Sequence, residues 1–174
     1  LRLYERIDCS TGFFESVVGG VSKRYPYVKH KRELFDALLG KIVLSPQDFE
    51  VVLVLNEYGD FLSDLASGMV GSLGTGASGN FAFNKDNTIS MAMFDPAGGT
   101  APDIAGKNMC NPSAILLALS MLLEHIGQRK ASSDVKDSVF SAIADGAKTG
   151  DLGGTLSTTE FTDEVVHRIK ALEV

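Results

Sequence analysis

The sequence predicts an α/β protein, and three observations carry that prediction. The apolar run Phe49-Glu50-Val51-Val52-Leu53-Val54-Leu55 reads as a buried strand. Ahead of it, Phe13, Val17, Val18 and Val21, and then Leu34, Leu38, Leu39 and Ile42, recur at helical spacing. The opening segment Leu1-Arg2-Leu3-Tyr4-Glu5-Arg6-Ile7 is strand-like. A parallel sheet that starts with one strand and two helices looks incomplete, so the chain reads as the back half of a larger fold.

Taken in order, residues 12–64 predict helix, helix, strand. Tyr25-Pro26 ends the first helix and Ser45-Pro46 closes the second, because proline lacks an amide donor and crowds the preceding turn. The basic cluster Lys29-His30-Lys31-Arg32 reads as a solvated helix start, and a further helix is expected after Gly59. Glycine and proline crowd the stretch between Gly68 and Asn111, with a short strand expected over residues 88–94. A compact domain uses so long a glycine-rich stretch for close backbone approach to a ligand or neighbouring chain. Pro112 suits the first turn of a helix, and residues 114–124 are apolar on most sides, as a buried helix would be. Residues 135–144 and 160–171 are two amphipathic helices, joined by a loop that contains Thr149-Gly150-Asp151-Leu152-Gly153-Gly154.

A length of 174 residues supports one ordinary core and gives no reason to expect two complete domains. The formal net charge of −6 argues against nucleic acid or an anionic membrane as the main partner. Cys9 and Cys110 have no metal-type spacing, which fits a reducing, cytoplasmic setting. Residues 114–123 form the longest apolar stretch, interrupted by Ser120 and too short to cross a bilayer. No secretory signal is expected at the start. His30, His125 and His167 are scattered and read as surface or packing residues.

The chemistry concentrates in Asn56-Glu57-Tyr58-Gly59-Asp60-Phe61-Leu62-Ser63-Asp64. Asp60 and Asp64 stand four residues apart and so share a helix face. They follow a strand, where open α/β sheets tend to place their ligands. Two such carboxylates can offer oxygens to one hard cation. An N-cap aspartate with a second acid favoured by the helix dipole fits the same residues, and the spacing leaves both open.

Four segments together resemble the carboxyl-terminal half of the β-decarboxylating dehydrogenases, the isocitrate/isopropylmalate dehydrogenase family. They are residues 49–79, Gly99-Thr100-Ala101-Pro102-Asp103-Ile104-Ala105-Gly106-Lys107, Asn111-Pro112, and Asp151-Leu152-Gly153-Gly154 with Thr158-Thr159-Glu160-Phe161-Thr162. The resemblance implies an isocitrate/isopropylmalate dehydrogenase-like α/β fold, present in part. Residues 1–64 would belong to a small, dimer-forming domain with the metal motif, and residues 65–174 to the returning part of a large domain with the cofactor loop. The absence of a Gly-x-Gly-x-x-Gly fingerprint after the first strand agrees, since this family binds its cofactor differently.

The resemblance further implies an NAD-dependent oxidative decarboxylase of a 2-hydroxy acid, working with magnesium or manganese as a homodimer. Asp60 and Asp64 match the family's metal pair, and Asp36 matches a third acid supplied by the partner subunit. Read by itself, Asp36 is an ordinary acid on an amphipathic helix. Gly99, Asp103 and Ile104 match the adenosine loop, where an acid favours NAD by repelling a 2′-phosphate. Asn111 matches an adenine contact and also suits an N-cap. The segment from Asp64 to Gly71 looks closer to isocitrate and homoisocitrate enzymes, so isocitrate is the expected substrate.

Three positions depart from the family. Counted back without gaps from Gly12, the catalytic lysine falls on Leu3, and neighbouring Arg2 and Arg6 cannot exchange a proton at working pH. Gly98 stands where a histidine normally precedes the adenosine loop, and Glu57 where an apolar residue is usual. The substrate-binding arginines and the tyrosine of the family come from its amino-terminal half. The chain alone is therefore expected to be inactive, as part of an enzyme or as a degenerate regulatory or assembly homologue.

Overall fold

The computed structural model describes the backbone of residues 2–6 and, with side chains, residues 12–172. Cys9, the side chain of Leu3 and the ends of the expected first strand lie outside the described residues. The chain divides into two compact units, Leu1–Leu65 and Ala66–Val174.

The first unit is organised by a parallel sheet in which β1 (Arg2–Arg6) lies between β2 (Lys29–Glu33) and β3 (Val51–Leu53). Parallel neighbours need a long crossover, and helices supply it. Helix α1 (Phe13–Ser22) leads to β2, while α2 (Phe35–Leu44) and a 3-10 turn (Pro46–Asp48) lead to β3. Val18, Leu38 and Leu62 are its buried apolar side chains among the described residues. Glu33 is buried with them, held by Lys31 Nζ at 2.6 Å and Lys41 Nζ at 2.5 Å.

Two expectations change here. The basic cluster Lys29-His30-Lys31-Arg32 is strand β2 and does not start a helix. It occupies one edge of the three-stranded sheet, where charged side chains reach water and no apolar alternation is required. The run at residues 49–55 holds only a three-residue strand at the other edge, with Val51 41% and Leu53 37% exposed, so it is not a buried strand.

Helix α3 (Asn56–Met69) begins three residues before Gly59, which places Asp60 inside the helix and excludes it as the N-cap. Its first turn meets that of α2 through an edge-to-face pair, Phe35 and Tyr58, with ring centroids 4.8 Å apart.

In the second unit β4 (Ala77–Phe83) and β5 (Ile89–Pro96) form an antiparallel hairpin, closed by an Asn84 amide that donates to the Thr88 carbonyl at 2.8 Å. Only β5 is expected from the sequence. Strand β4 lacks the signal because its first half is built of small residues around Gly79, where a Cβ would lie 3.1 Å from the Phe81 ring and 3.2 Å from Met121.

Helices α4 (Ser113–His125), α5 (Arg129–Ala144) and α6 (Thr158–Ala171) complete the unit. Val139, Ala142, Phe161 and Val165 form its buried cluster, with Leu116 and Leu117 against it. Helix α4 is not buried all round: Ser113, Ala114, Ala118 and Ser120 face inward, while Ile115 is 50% exposed. Small residues bring the backbones together, as where Ser120 Oγ donates to the Ser132 carbonyl at 2.9 Å. No helix among the described residues is long and apolar enough to cross a membrane.

Candidate functional site

The glycine-rich chain after β5 turns repeatedly, and the turns leave a cleft. Gly99, Ala101, Gly106 and Asn108 all have positive φ, and Ile104 and Lys107 amides donate back to the Ala101 and Ile104 carbonyls at 3.1 Å each. Between this loop, the start of α4 and the 3-10 turn Gly150–Leu152 lies a cavity of about 520 Å³. That is the size of an ordinary small-molecule site. Main chain and small apolar side chains make most of its wall. Asp151 is the one charged residue among those lining it, and none is lysine or arginine.

Asp151 gathers three donors. Ser72 Oγ and Asn111 Nδ2 (2.9 Å) bond to its Oδ2, and Thr149 Oγ1 bonds to its Oδ1 at 2.5 Å. Partial burial opposes the charged form, but these hydrogen bonds outweigh it and hold the carboxyl below the usual aspartate range. The loop is also fixed at Asn108, whose carbonyl accepts from the Thr158 amide at 3.0 Å. Thr158 Oγ1 donates to the Cys110 carbonyl at 2.6 Å.

Of the residues expected to hold the cofactor, Gly99, Ile104 and Asn111 line this cleft. Asp103 lies exposed on the same loop and is not among the lining residues. Pro112 occupies the N-cap of α4, one place earlier than a first-turn residue, and Asn111 precedes it. The Asn111 Oδ1 accepts from the Ser113 amide at 2.9 Å, so its capping role is present one position before the cap. Sequence reasoning gives no role to Ser72, Asn108 or Thr149, and their only local signal is their proximity to glycine-rich turns.

In the first unit, Asp60 and Asp64 are both exposed on α3, one turn apart. Two carboxylates so placed suit a hard cation by their chemistry. Asp36 is exposed in the first turn of α2, where its Oδ1 accepts from the Ala37 amide at 2.7 Å. Among the described residues no three histidine, cysteine, aspartate or glutamate side chains gather into a metal-holding group, so Asp36 is not brought to the pair within one chain.

Comparison with known proteins decides the family. The model of isocitrate/isopropylmalate dehydrogenase matches residues 7–165. The chain belongs to the isocitrate/isopropylmalate dehydrogenase family. It is similar to a mitochondrial regulatory component of the NAD isocitrate dehydrogenase of Dictyostelium discoideum, 41% identical over 161 residues, which is 92% of this chain and 44% of that protein. It is 40% identical over 166 residues to the isocitrate/homoisocitrate dehydrogenase of Thermus thermophilus, covering 95% of this chain and 48% of that protein. Among solved structures, isocitrate dehydrogenase from Methylococcus capsulatus superposes with a TM-score of 0.87 at 33% identity, covering 97% of this chain and 50% of that one.

The fold is thus the isocitrate/isopropylmalate dehydrogenase type, present in part, and the chain spans about half the length of the relatives it matches. At Gly98, where other members of the isocitrate/isopropylmalate dehydrogenase family carry histidine by the resemblance above, an added Cβ would meet nothing closer than the Gly74 Cα at 4.0 Å. The backbone therefore does not demand glycine there. Glu57 is exposed in the first turn of α3, where the helix dipole favours an acid.

Proposed function

We propose that the chain is the carboxyl-terminal part of an NAD-dependent, divalent-metal-dependent oxidative decarboxylase of a 2-hydroxy acid, with isocitrate as substrate. The observation that carries this reading is the cleft formed by Gly99, Ile104 and Asn111, whose lining includes no lysine or arginine. An apolar wall suits an adenine ring, and a site without a cation disfavours the extra 2′-phosphate of NADP. Asp103, on the same loop, adds like-charge repulsion against that phosphate. The names of relatives point the same way: the Dictyostelium protein is called part of an NAD enzyme, and the Thermus protein an isocitrate/homoisocitrate dehydrogenase.

Asp60 and Asp64, with Asp36 from a second copy, would hold the cation. A divalent ion held there supplies Lewis acidity toward the hydroxyl and carboxylate oxygens of the substrate. The carboxylates fix its place, and the symmetry of a two-fold pair would supply the third acid. Residues 1–64 then form the dimerising part and residues 65–174 the nucleotide part, in a reducing compartment such as the cytoplasm.

Binding titrations test the reading on this chain. NAD should bind more tightly than NADP, and Asp103→Asn should narrow the difference. Manganese binding should weaken in Asp60→Asn. Preference for NADP, or equal manganese binding by Asp60→Asn and the unaltered chain, would overturn the corresponding half of the proposal.

Leu3 favours a second reading, a regulatory or assembly protein that has lost the catalytic lysine. The Dictyostelium relative is named as regulatory. The two readings part in the sequence encoded ahead of Leu1: arginines, a tyrosine and a lysine there indicate a catalytic protein, and their loss a regulatory one.

A further inference from the structure

Asp151 has no part in the nucleotide or metal assignments above, yet it is the point at which the cleft is tied together. Its carboxylate binds Ser72, 79 residues away, and Asn111, 40 residues away, as well as nearby Thr149. Thr149 is fully buried and Asn111 is 7% exposed. We propose that Asp151 is a positioning residue for the bound nucleotide: it fixes the Asn111 amide in one orientation and sets the spacing of the two loops beside it. The inference rests on the nucleotide reading of this cleft.

The orientation follows from which groups can donate. A backbone N–H only donates, and an ionised carboxylate only accepts. Asn111 meets one of each: Oδ1 accepts from the Ser113 amide at 2.9 Å, and Nδ2 donates to Asp151 Oδ2 at 2.9 Å. Turning the amide over would set donor against donor on one side and acceptor against acceptor on the other. One arrangement is therefore satisfied, at a residue that lines the cleft.

The spacing follows from crowding at Gly74, also in the cleft wall. A Cβ at Gly74 would lie 3.0 Å from Asn111 Cβ, 3.1 Å from Ser72 Oγ and 3.4 Å from Asp151 Oδ2. The Ser72 hydroxyl that donates to Asp151 also accepts from the Gly74 amide at 2.9 Å. The backbone of the Ser72–Gly74 loop is thus drawn against the start of α4 through Asp151. Three neutral donors compensate the carboxylate, so it holds the walls without bringing a cation into the cleft.

The test exchanges the two side chains. Asn111→Asp sets two carboxylates against each other, and NAD binding should weaken by about tenfold or more at neutral pH. Adding Asp151→Asn in the same chain restores a donor opposite the carboxylate, with the Ser113 amide still satisfied and the two hydroxyls free to turn. The double variant should recover most of the lost affinity, with melting temperature recorded beside each titration. If Asn111→Asp does not fold and the double variant folds and binds NAD, the coupling is likewise upheld. A double variant that regains its melting temperature but not its affinity reduces Asp151 to a structural role and overturns the inference. No difference between the two variants overturns it as well. A failure of the unaltered chain to bind either nucleotide removes the functional reading itself, and the inference with it.

Discussion

Asn108 clasps Thr159: its Nδ2 donates to Thr159 Oγ1 at 2.8 Å, and its Oδ1 accepts from the Thr159 amide at 3.2 Å. This two-bond contact fastens the end of the glycine-rich loop to the first turn of α6. Asn108 holds it from a left-handed backbone at φ 56°, a conformation asparagine tolerates better than most residues. Asn108→Gly should lose the contact without strain, at about 1 kcal/mol, and Asn108→Ala should lose roughly 2 kcal/mol because strain is added. Denaturant unfolding of both variants checks the order. Equal losses would show that the backbone angle is not constrained.

Gly154 should be the least replaceable glycine of the α5–α6 connection. An added Cβ would lie 2.0 Å from the Lys148 carbonyl oxygen, which is backbone and has nowhere to go. Gly154→Ala is expected to cost about 3 kcal/mol, the upper range for overpacking. Gly150, with nothing within 4 Å of its Cβ position, is the control. Comparable melting temperatures for the two alanine variants would refute the expectation.

Acid should destabilise the folded chain through two carboxyls, one in the cleft wall and one in the cap of α6. The Asp151 carboxyl is held low in the folded chain despite its partial burial, because Ser72, Thr149 and Asn111 donate to it. Glu160 is held low too, by the Ser157 amide and hydroxyl in the capping box of α6. For a lowered carboxyl, the unfolded chain takes up protons first as pH falls. Its stabilisation is complete above the ordinary carboxylate range and is lost as pH drops through the lowered folded value. Melting temperature should therefore fall as pH drops through the ordinary carboxylate range toward the lowered folded values, and Asp151→Asn should make the slope shallower. An unchanged slope in that variant would assign the acid sensitivity to other groups.

Gly98→His should be accepted by the fold, because no atom lies within ordinary contact of the new Cβ except the Gly74 Cα at its edge. The imidazole would restore the residue that the family resemblance expects ahead of the proposed adenosine loop. NAD affinity should rise by about tenfold, the value of one good polar contact, with little change in melting temperature. A loss of affinity would mean that the side chain fills the cleft instead of lining it.

The sequence by itself determined helices α1, α2, α5 and α6, and the family. The spacings of Phe13, Val17 and Val21 and of Leu34, Leu38 and Ile42 mark out α1 and α2, and the two amphipathic patterns near the end belong to α5 and α6. Those patterns are local, set by the 3.6-residue turn, and can be read without knowing what the helix packs against. The placement of Asp60 and Asp64 one turn apart is legible for the same reason.

Tertiary structure alone decided the rest. Strands β2 and β4 carry charged or small residues, because an edge strand faces water and a closely packed one needs room, and neither circumstance leaves an apolar period. Helix α4 is apolar nearly all round in sequence, so only the hairpin and α5 determine that its small residues turn inward and Ile115 outward. The hydrogen bonds of Asp151 join Ser72, Asn111 and Thr149, two of them across long separations in the chain. A contact of that kind has no spacing to read, because it exists only once the folded backbone has brought the donors together.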